Sequence, residues 1–188
     1  MSNWNKKNLI SIIIYTVLYV IGSVIVSVTG AIHPIFFVCY QITAGLLLTG
    51  VIIKAFSTVK APGVAACLSA GMILTFFIIN DASKWHIMPL LVIAVLAEII
   101  RKARNYEWTG DVISTVIMTF STFGFYGQIW LNRDFTYEAT IEEMPVGYGD
   151  TLMSLSPGWA FPVVIIIGVA VSVCISNVTA KLFKIEKN

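Results

Sequence analysis

The sequence predicts an all-α integral membrane protein with six transmembrane helices, both termini cytoplasmic and a long outer loop between helices 5 and 6. The first observation behind this is composition. Of the 188 residues, 57% are hydrophobic and 12% are charged, whereas soluble domains have about 45–50% apolar and about 25% charged residues. Helices of about 20 residues would use nearly the whole chain, which predicts one membrane domain over residues 1–188.

The second observation is the spacing of the apolar segments. Six segments, separated by polar or Gly/Pro-containing connections, cover residues 9–29, 35–54, 63–80, 86–101, 110–131 and 157–183. In the short fourth segment, Pro89 favours a helix start near that residue, because proline suits the first turn of a helix better than its interior. In the sixth, Ser156 is the expected N-cap and Pro157 the expected first helical residue.

The third observation is the distribution of basic residues. Ten of the twelve lysines and arginines fall on one side of the predicted membrane, and only Lys84 and Arg133 fall on the other. Cytoplasmic loops carry the excess of basic residues, so both termini are predicted to be cytoplasmic. The outer connections are then 31–34, 80–86 and 132–156, and a connection as long as the last one often covers a ligand.

The long outer loop contains VGYGD at residues 146–150, the letters of a potassium-channel selectivity filter. A filter carries a threonine before this run, at the end of a short pore helix, and the residue here is Pro145. Glu142 and Glu143 would lie at the carboxyl end of that pore helix, where the helix dipole disfavours negative charge. A potassium-channel-like pore that uses Val146–Asp150 is nevertheless kept as the alternative function.

The glycines of this run also permit a simpler interpretation. Gly147 and Gly149 allow a tight turn at positive φ, with the amphipathic Tyr148 between them. We therefore expect a turn within a loop that covers a binding pocket.

A longer run carries a family resemblance. YGDTLMSLSPGWAFPVVIIIGVAVSVCISNVTAKLFK, residues 148–184, resembles the end of the MptD-type (Trep/Strep) family of S components of energy-coupling factor (ECF) transporters, with its YxDTLxxLxPxW signature. LNRD at 131–134 and LLVIAVLAEIIRKARNY at 90–106 are similar to the same family.

The resemblance implies a multi-pass protein of the bacterial plasma membrane. Such a protein captures a micronutrient on the outer face and delivers it through a transmembrane coupling subunit driven by two ATPase subunits. The chain would be no enzyme, and its sequence contains no GxxxxGK[ST] nucleotide motif. A membrane enzyme is a weaker alternative, because HExxH, GxSxG and a paired acidic site within an apolar segment are absent from the sequence.

The resemblance also implies a pocket built from the outer ends of the later helices and covered by the outer loops. Aromatic rings with a few convergent polar groups suit such a pocket, although Trp and Tyr at this depth also form the interfacial belt. The candidate binding residues are His33, Asn80, Asp81, Trp85, His86, Met88, Tyr126, Gln128, Trp130, Arg133, Tyr137, Tyr148, Asp150 and Trp159.

The leading single candidate for the cargo is haem or a related tetrapyrrole, with a vitamin-like heterocycle as the other candidate. His33, His86 or Met88 would supply an axial ligand, and Arg133 would meet a propionate unless it pairs with the neighbouring acidic residues. Haem would be the transported ligand, and neither an intrinsic cofactor nor a metal ion held by the protein alone is predicted.

Two further patterns concern packing. Gly168, Ser172, Ser176 and Ala180 recur every four residues in the last segment, which lets another helix approach closely, within the chain or from a coupling subunit. Glu98 is expected to pair with Arg101 or Lys102.

Overall fold

The computed structural model describes residues 4–187, and within that range the regular structure is entirely helical. The first three residues and the last residue of the predicted domain lie outside it. The α-helices, in chain order, are α1 Lys6–Ile32, α2 Pro34–Val38, α3 Tyr40–Leu47, α4 Thr49–Thr58, α5 Val64–Ile78, α6 Lys84–Ala103, α7 Trp108–Met118, α8 Phe123–Tyr126, α9 Gln128–Leu131, α10 Arg133–Glu143, α11 Tyr148–Leu155 and α12 Ala160–Leu182. A 3-10 helix, Thr119–Thr122, joins α7 to α8.

All six predicted apolar segments are helical, but two of them are broken into shorter helices. Within residues 4–187, α1 and α12 are long and apolar enough to cross a membrane alone. Helices α3 and α4 meet at a bend of 44° and make a third span if the pair counts as one. The second segment thus comprises α2 to α4, and the fifth comprises α7 to α9. Six complete crossings and the sidedness of the termini stay predictions.

Helix α12 packs closely against α3 and α4. A Cβ atom added at Gly168 would lie 2.5 Å from Gln41 Cγ, and one added at Gly45 would lie 2.8 Å from Ser172 Oγ. Gly168, Ser172, Ser176 and Ala180 are all buried. The small-residue stripe of the last helix therefore packs against its own chain, as the spacing allows.

A buried ionic cluster holds the end of the bundle that carries the chain termini. Arg101 is 0% exposed, and its Nε donates to Asp111 Oδ1 at 2.9 Å. Its Nη atoms donate to the carbonyls of Phe56, Val59 and Ala61 at 3.0–3.3 Å. The cluster thereby ties α6 to α7, to the last turn of α4 and to the connection after α4.

Glu98 has a different main role from the expected one. Its carboxylate accepts hydrogen bonds from the backbone N–H groups of Gly63 and Ala65, at 2.9 and 2.6 Å, at the start of α5. A carboxylate at a helix N-terminus satisfies amides that have no partner within the helix and interacts favourably with the helix dipole. Its ion pair with Arg101 is longer, at 3.9 Å.

Two predicted helix starts are wrong. Helix α6 begins at Lys84, where Ser83 is the N-cap, and Pro89 lies inside the helix. Since proline has no N–H, the Trp85 carbonyl one turn earlier lacks its intrahelical donor. Ser156 does not cap the last helix: its Oγ donates to the Leu152 carbonyl at 2.8 Å at the end of α11, and α12 begins at Ala160.

The long outer loop is largely helical. It consists of α10 and α11, joined by a short turn in which Gly147 has φ +83°. Gly149 belongs to α11, so the expected positive φ applies to Gly147 and is wrong for Gly149. Gly149 instead permits close packing on α10, because a Cβ there would lie 2.8 Å from Thr140 Oγ1.

Candidate ligand-binding site

A cavity of about 380 Å³ lies beneath α10 and α11, at the end of the bundle predicted to face outward, called the outer end below. Its volume is within the range of about 300–1,000 Å³ that small-molecule sites occupy. The lining residues come from α1 to α3, the connection after α5, α6, α8 to α11 and the turn after α10: Ser27, Gly30, Phe37, Tyr40, Asp81, Ser83, Trp85, His86, Phe125, Gln128, Phe135, Thr136, Ala139, Thr140, Glu143, Met144 and Tyr148.

Two tyrosine hydroxyls in the walls of this cavity are hydrogen-bonded to backbone carbonyls near the end of α1. Tyr148, in the first turn of α11, donates to the Gly30 carbonyl at 2.6 Å, and Tyr40 donates to the Ser27 carbonyl. Burial raises the pKa of Tyr148, so its hydroxyl stays protonated and able to donate at neutral pH. The cover of the cavity is therefore attached to α1 across the bundle.

Arg133 supports α11 from outside the cavity. One Nη donates to the carbonyl of Ser156 at 2.9 Å and the other to the carbonyl of Met153 at 2.8 Å. The last carbonyls of a helix have no partner within the helix, and a cation there also complements the helix dipole. Its guanidinium is thus bound to the end of α11, and it makes no ion pair with Asp134 or Glu138 among the described residues.

His86 lies in the cavity wall next to two aromatic rings. Its ring stacks on Phe125 at a centroid distance of 4.0 Å and lies 5.2 Å from Phe76. Its Nδ1 is 2.9 Å from the backbone carbonyl oxygen of Asp81. A carbonyl only accepts, so Nδ1 carries the hydrogen and Nε2 is the nitrogen that remains for other partners.

Gln128, which lines the cavity, carries an unsatisfied side-chain acceptor. Its side-chain Nε2 donates to the Gly124 carbonyl at 2.5 Å. Its Oε1 is buried and has no hydrogen-bond partner within residues 4–187. Buried polar atoms are nearly always paired, and this oxygen belongs to a residue that lines the cavity.

The structure brings five of the fourteen candidate residues together in this cavity: Asp81, Trp85, His86, Gln128 and Tyr148. Two others belong to α8 and α9 and do not line the cavity. Tyr126 is 0% exposed and donates to Gln41 Oε1 at 2.8 Å, while Trp130 donates from Nε1 to the Pro157 carbonyl at 3.2 Å.

The remaining candidates do not line the cavity. Besides Arg133 they are His33, Asn80, Met88, Tyr137, Asp150 and Trp159. His33 is exposed and caps α2 through Nδ1, and Met88 lines an adjacent apolar groove of about 520 Å³ beside α6, which shares Trp85 and Gln128 with the cavity. The three candidate axial ligands therefore have three different surroundings. Within the described residues, no group of three or more His, Cys, Asp or Glu side chains could hold a metal ion.

The sequence relationships agree with a membrane protein. Residues 6–185 match the family described as "Hypothetical bacterial integral membrane protein (Trep_Strep)". The chain belongs to this family. Comparison with curated proteins gave no match, and comparison with solved structures gave none.

In this Trep_Strep protein the early helices form part of the cavity, which sequence reasoning missed. Phe37 and Tyr40 contribute rings from α2 and α3, and their centroids are 4.9 Å apart. The signal was available in FFVCYQ at 36–41, where two aromatic residues at i and i+3 precede a glutamine inside an apolar segment. Glu143 was also missed, because it was considered only in the argument about the potassium filter.

A tyrosine–carboxylate pair on the outer surface of the cover leads to a pH prediction. Tyr137 donates to Asp150 Oδ1 at 2.8 Å, and this carboxylate raises the pKa of Tyr137 above its ordinary value of 10.0. The stability that the pair contributes is present below pH 10 and is lost as the pH rises through the raised pKa. We expect Asp150→Asn to lower the Tyr137 pKa towards 10.0 in an NMR titration of ring-labelled tyrosine.

The Tyr137 signal would be assigned from the Tyr137→Phe variant, which removes it. Glu138→Gln is the control, since that exposed carboxylate makes no hydrogen bond to Tyr137. An unchanged Tyr137 titration in Asp150→Asn would show that the carboxylate does not set this pKa.

Proposed function

We propose that this protein is the substrate-binding S subunit of an ECF-type importer in the bacterial plasma membrane. It captures a small organic micronutrient in the cavity at the outer end and delivers it through a coupling subunit and two ATPase subunits. The observation that carries the proposal is the covered cavity itself, which combines aromatic walls with the unpaired buried oxygen of Gln128. That combination is typical of a site for a small molecule.

The family membership supports a membrane protein, and the ECF role extends it through the resemblance at residues 148–184. The proposed chain performs no chemistry on its ligand, because ATP hydrolysis would belong to the partner subunits. The potassium-pore alternative gains no support from the conformation of its filter letters. Tyr148, Gly149 and Asp150 form the first turn of α11, whereas a filter needs a row of carbonyls directed at the ion.

Among candidate cargoes, the cavity favours a smaller heterocycle over haem. Haem carries carboxylate groups, and no lysine or arginine from the described part of the chain lines the cavity. Arg133, the expected partner of a propionate, is bound to the end of α11. His86 Nε2 is the remaining candidate for an axial bond, without His33 or Met88 beside it.

The test is ligand capture by the detergent-purified, full-length protein. After incubation with the small-molecule fraction of a bacterial extract, we expect native mass spectrometry to find one organic molecule bound near 1:1. Ala139→Trp should abolish this binding, because Ala139 lines the cavity and an indole would fill it. Glu138→Trp is the matched control, since the preceding residue is exposed and does not line the cavity.

Absence of any bound organic molecule in the unaltered protein would overturn the proposal, and so would equal binding by Ala139→Trp. Coexpression with ECF coupling and ATPase subunits tests the proposed delivery of the ligand through these partners. Co-purification and ATP-dependent uptake of the captured molecule are expected. If the protein captured a ligand but did not associate with these subunits, it would be a binding protein outside the ECF class.

A further inference from the structure

The polar part of the cavity wall at the outer end includes several hydrogen-bond acceptors. The acidic residues Asp81, which is partly exposed, and Glu143, which is exposed, both line it. Gln128 is 8% exposed and its Oε1 has no partner within residues 4–187. The orientation of this amide is fixed, because reversing it would place its oxygen against the Gly124 carbonyl that Nε2 now contacts. A ligand that donates to Oε1 would satisfy a buried acceptor that is costly to leave unpaired.

The basic residues predicted on the outer side do not line the same cavity. Lys84 and Arg133 are the two basic residues predicted on the outer side. Lys84 lines the apolar groove beside α6, with its Nζ 6.0 Å from the ring centroid of Trp85, and Arg133 is bound to the end of α11. The one basic heterocycle in the wall, His86, already donates from Nδ1 to the Asp81 carbonyl, with the Asp81 carboxylate 3.3 Å from the same nitrogen.

Aromatic rings make up much of the remaining wall. Tyr40, Trp85 and Tyr148 all line the cavity together with three phenylalanines. The faces of such rings attract cations, and this attraction increases when the cation is desolvated. A cleft lined by one sign of charge with low-dielectric walls also concentrates its field on the ligand.

We infer that the cavity selects an organic cation that carries N–H donors, with Gln128 Oε1 accepting a hydrogen bond and Glu143 and Asp81 supplying negative charge. This inference rests on the function proposed above and names the ligand class of the same site. Molecules with carboxylate or phosphate groups are discriminated against, because they would meet two carboxylates and no fixed positive charge.

Three pyridine compounds of similar size provide the probe. 1-Methylnicotinamide is a cation with an amide donor, nicotinamide is neutral with the same donor, and nicotinate is an anion without it. Isothermal titration calorimetry on the full-length protein in neutral detergent is expected to give the affinity order cation, neutral, anion. The cation should bind about twofold to fivefold more tightly than the neutral amide.

Neighbouring glutamates on α10 supply the matched variants. Glu143→Gln should lower the affinity for 1-methylnicotinamide by about twofold to fivefold and leave nicotinamide unchanged. Glu142→Gln is the control, because Glu142 is exposed and does not line the cavity. Gln128→Leu should weaken binding of both amides by about fivefold, since each loses the same acceptor.

Equal or reversed affinities of the three probes would overturn the inference, as would failure of all three to bind. An equal effect of Glu142→Gln and Glu143→Gln would overturn it too. The capture experiment, and not this affinity series, decides the proposed function. A neutral or anionic molecule captured in the cavity would refute the cation selectivity and leave the S-subunit proposal in place.

Discussion

Arg101→Met is expected to lower the free energy of unfolding by about 3–5 kcal/mol, the usual cost of removing one partner of a buried ion pair. The substitution removes the bond from Nε to Asp111 Oδ1 and leaves three backbone carbonyls without their guanidinium donor. Lys60 keeps its 2.5 Å contact with Asp111, which places the expected loss near the lower end of that range. Thermal unfolding in detergent measures it.

Lys102→Met is the matched control, because the next residue along α6 is exposed. A double variant, Arg101→Met with Asp111→Leu, should be more stable than Arg101→Met alone, since it removes the carboxylate that the single change leaves without its arginine. If Arg101→Met unfolded at the same temperature as Lys102→Met, the cluster would contribute little to stability and this explanation would be wrong.

The buried Arg101 shows which features of this end of the bundle could be predicted from the sequence and which could not. RKAR at 101–104 was interpreted as a set of cytoplasmic charges, and Lys102 and Arg104 are indeed exposed. Arg101, however, continues the buried face of α6 that includes Leu90, Ala94 and Ala97. That spacing of three and four residues was visible in the sequence, but the carbonyls that satisfy the guanidinium come from the end of α4 and the connection after it, which a local pattern does not show.

The candidate site was predictable to a similar extent. Asp81, Trp85 and His86 follow from their position in the outer connection before the fourth apolar segment, and all three line the cavity. Arg133 could not be placed, because its partners are carbonyls that become available only where α11 ends at Leu155. Polarity in a long loop predicted a cover over a pocket, but whether a charge in it faces the pocket or a helix end depends on the folded backbone.

Gly124→Ala is expected to reduce both stability and ligand binding. A Cβ atom at Gly124 would lie 2.2 Å from the Trp85 carbonyl oxygen and 3.0 Å from His86 Cα. Both atoms belong to the backbone of α6, so no change of side-chain rotamer can relieve the contact. Helices α6 and α8 would have to separate, at a cost of about 1–3 kcal/mol, as is typical of overpacking.

The same displacement would move Trp85 and His86, and Gln128 Nε2 would follow the Gly124 carbonyl to which it donates. We therefore expect Gly124→Ala to bind the captured ligand more weakly in the mass-spectrometric assay and to unfold at a lower temperature. Gly158→Ala is the control, because no atom lies within 4 Å of a Cβ added there. Equal stability and binding of the two variants would show that α6 and α8 can separate without cost, and the cavity would then not depend on their contact.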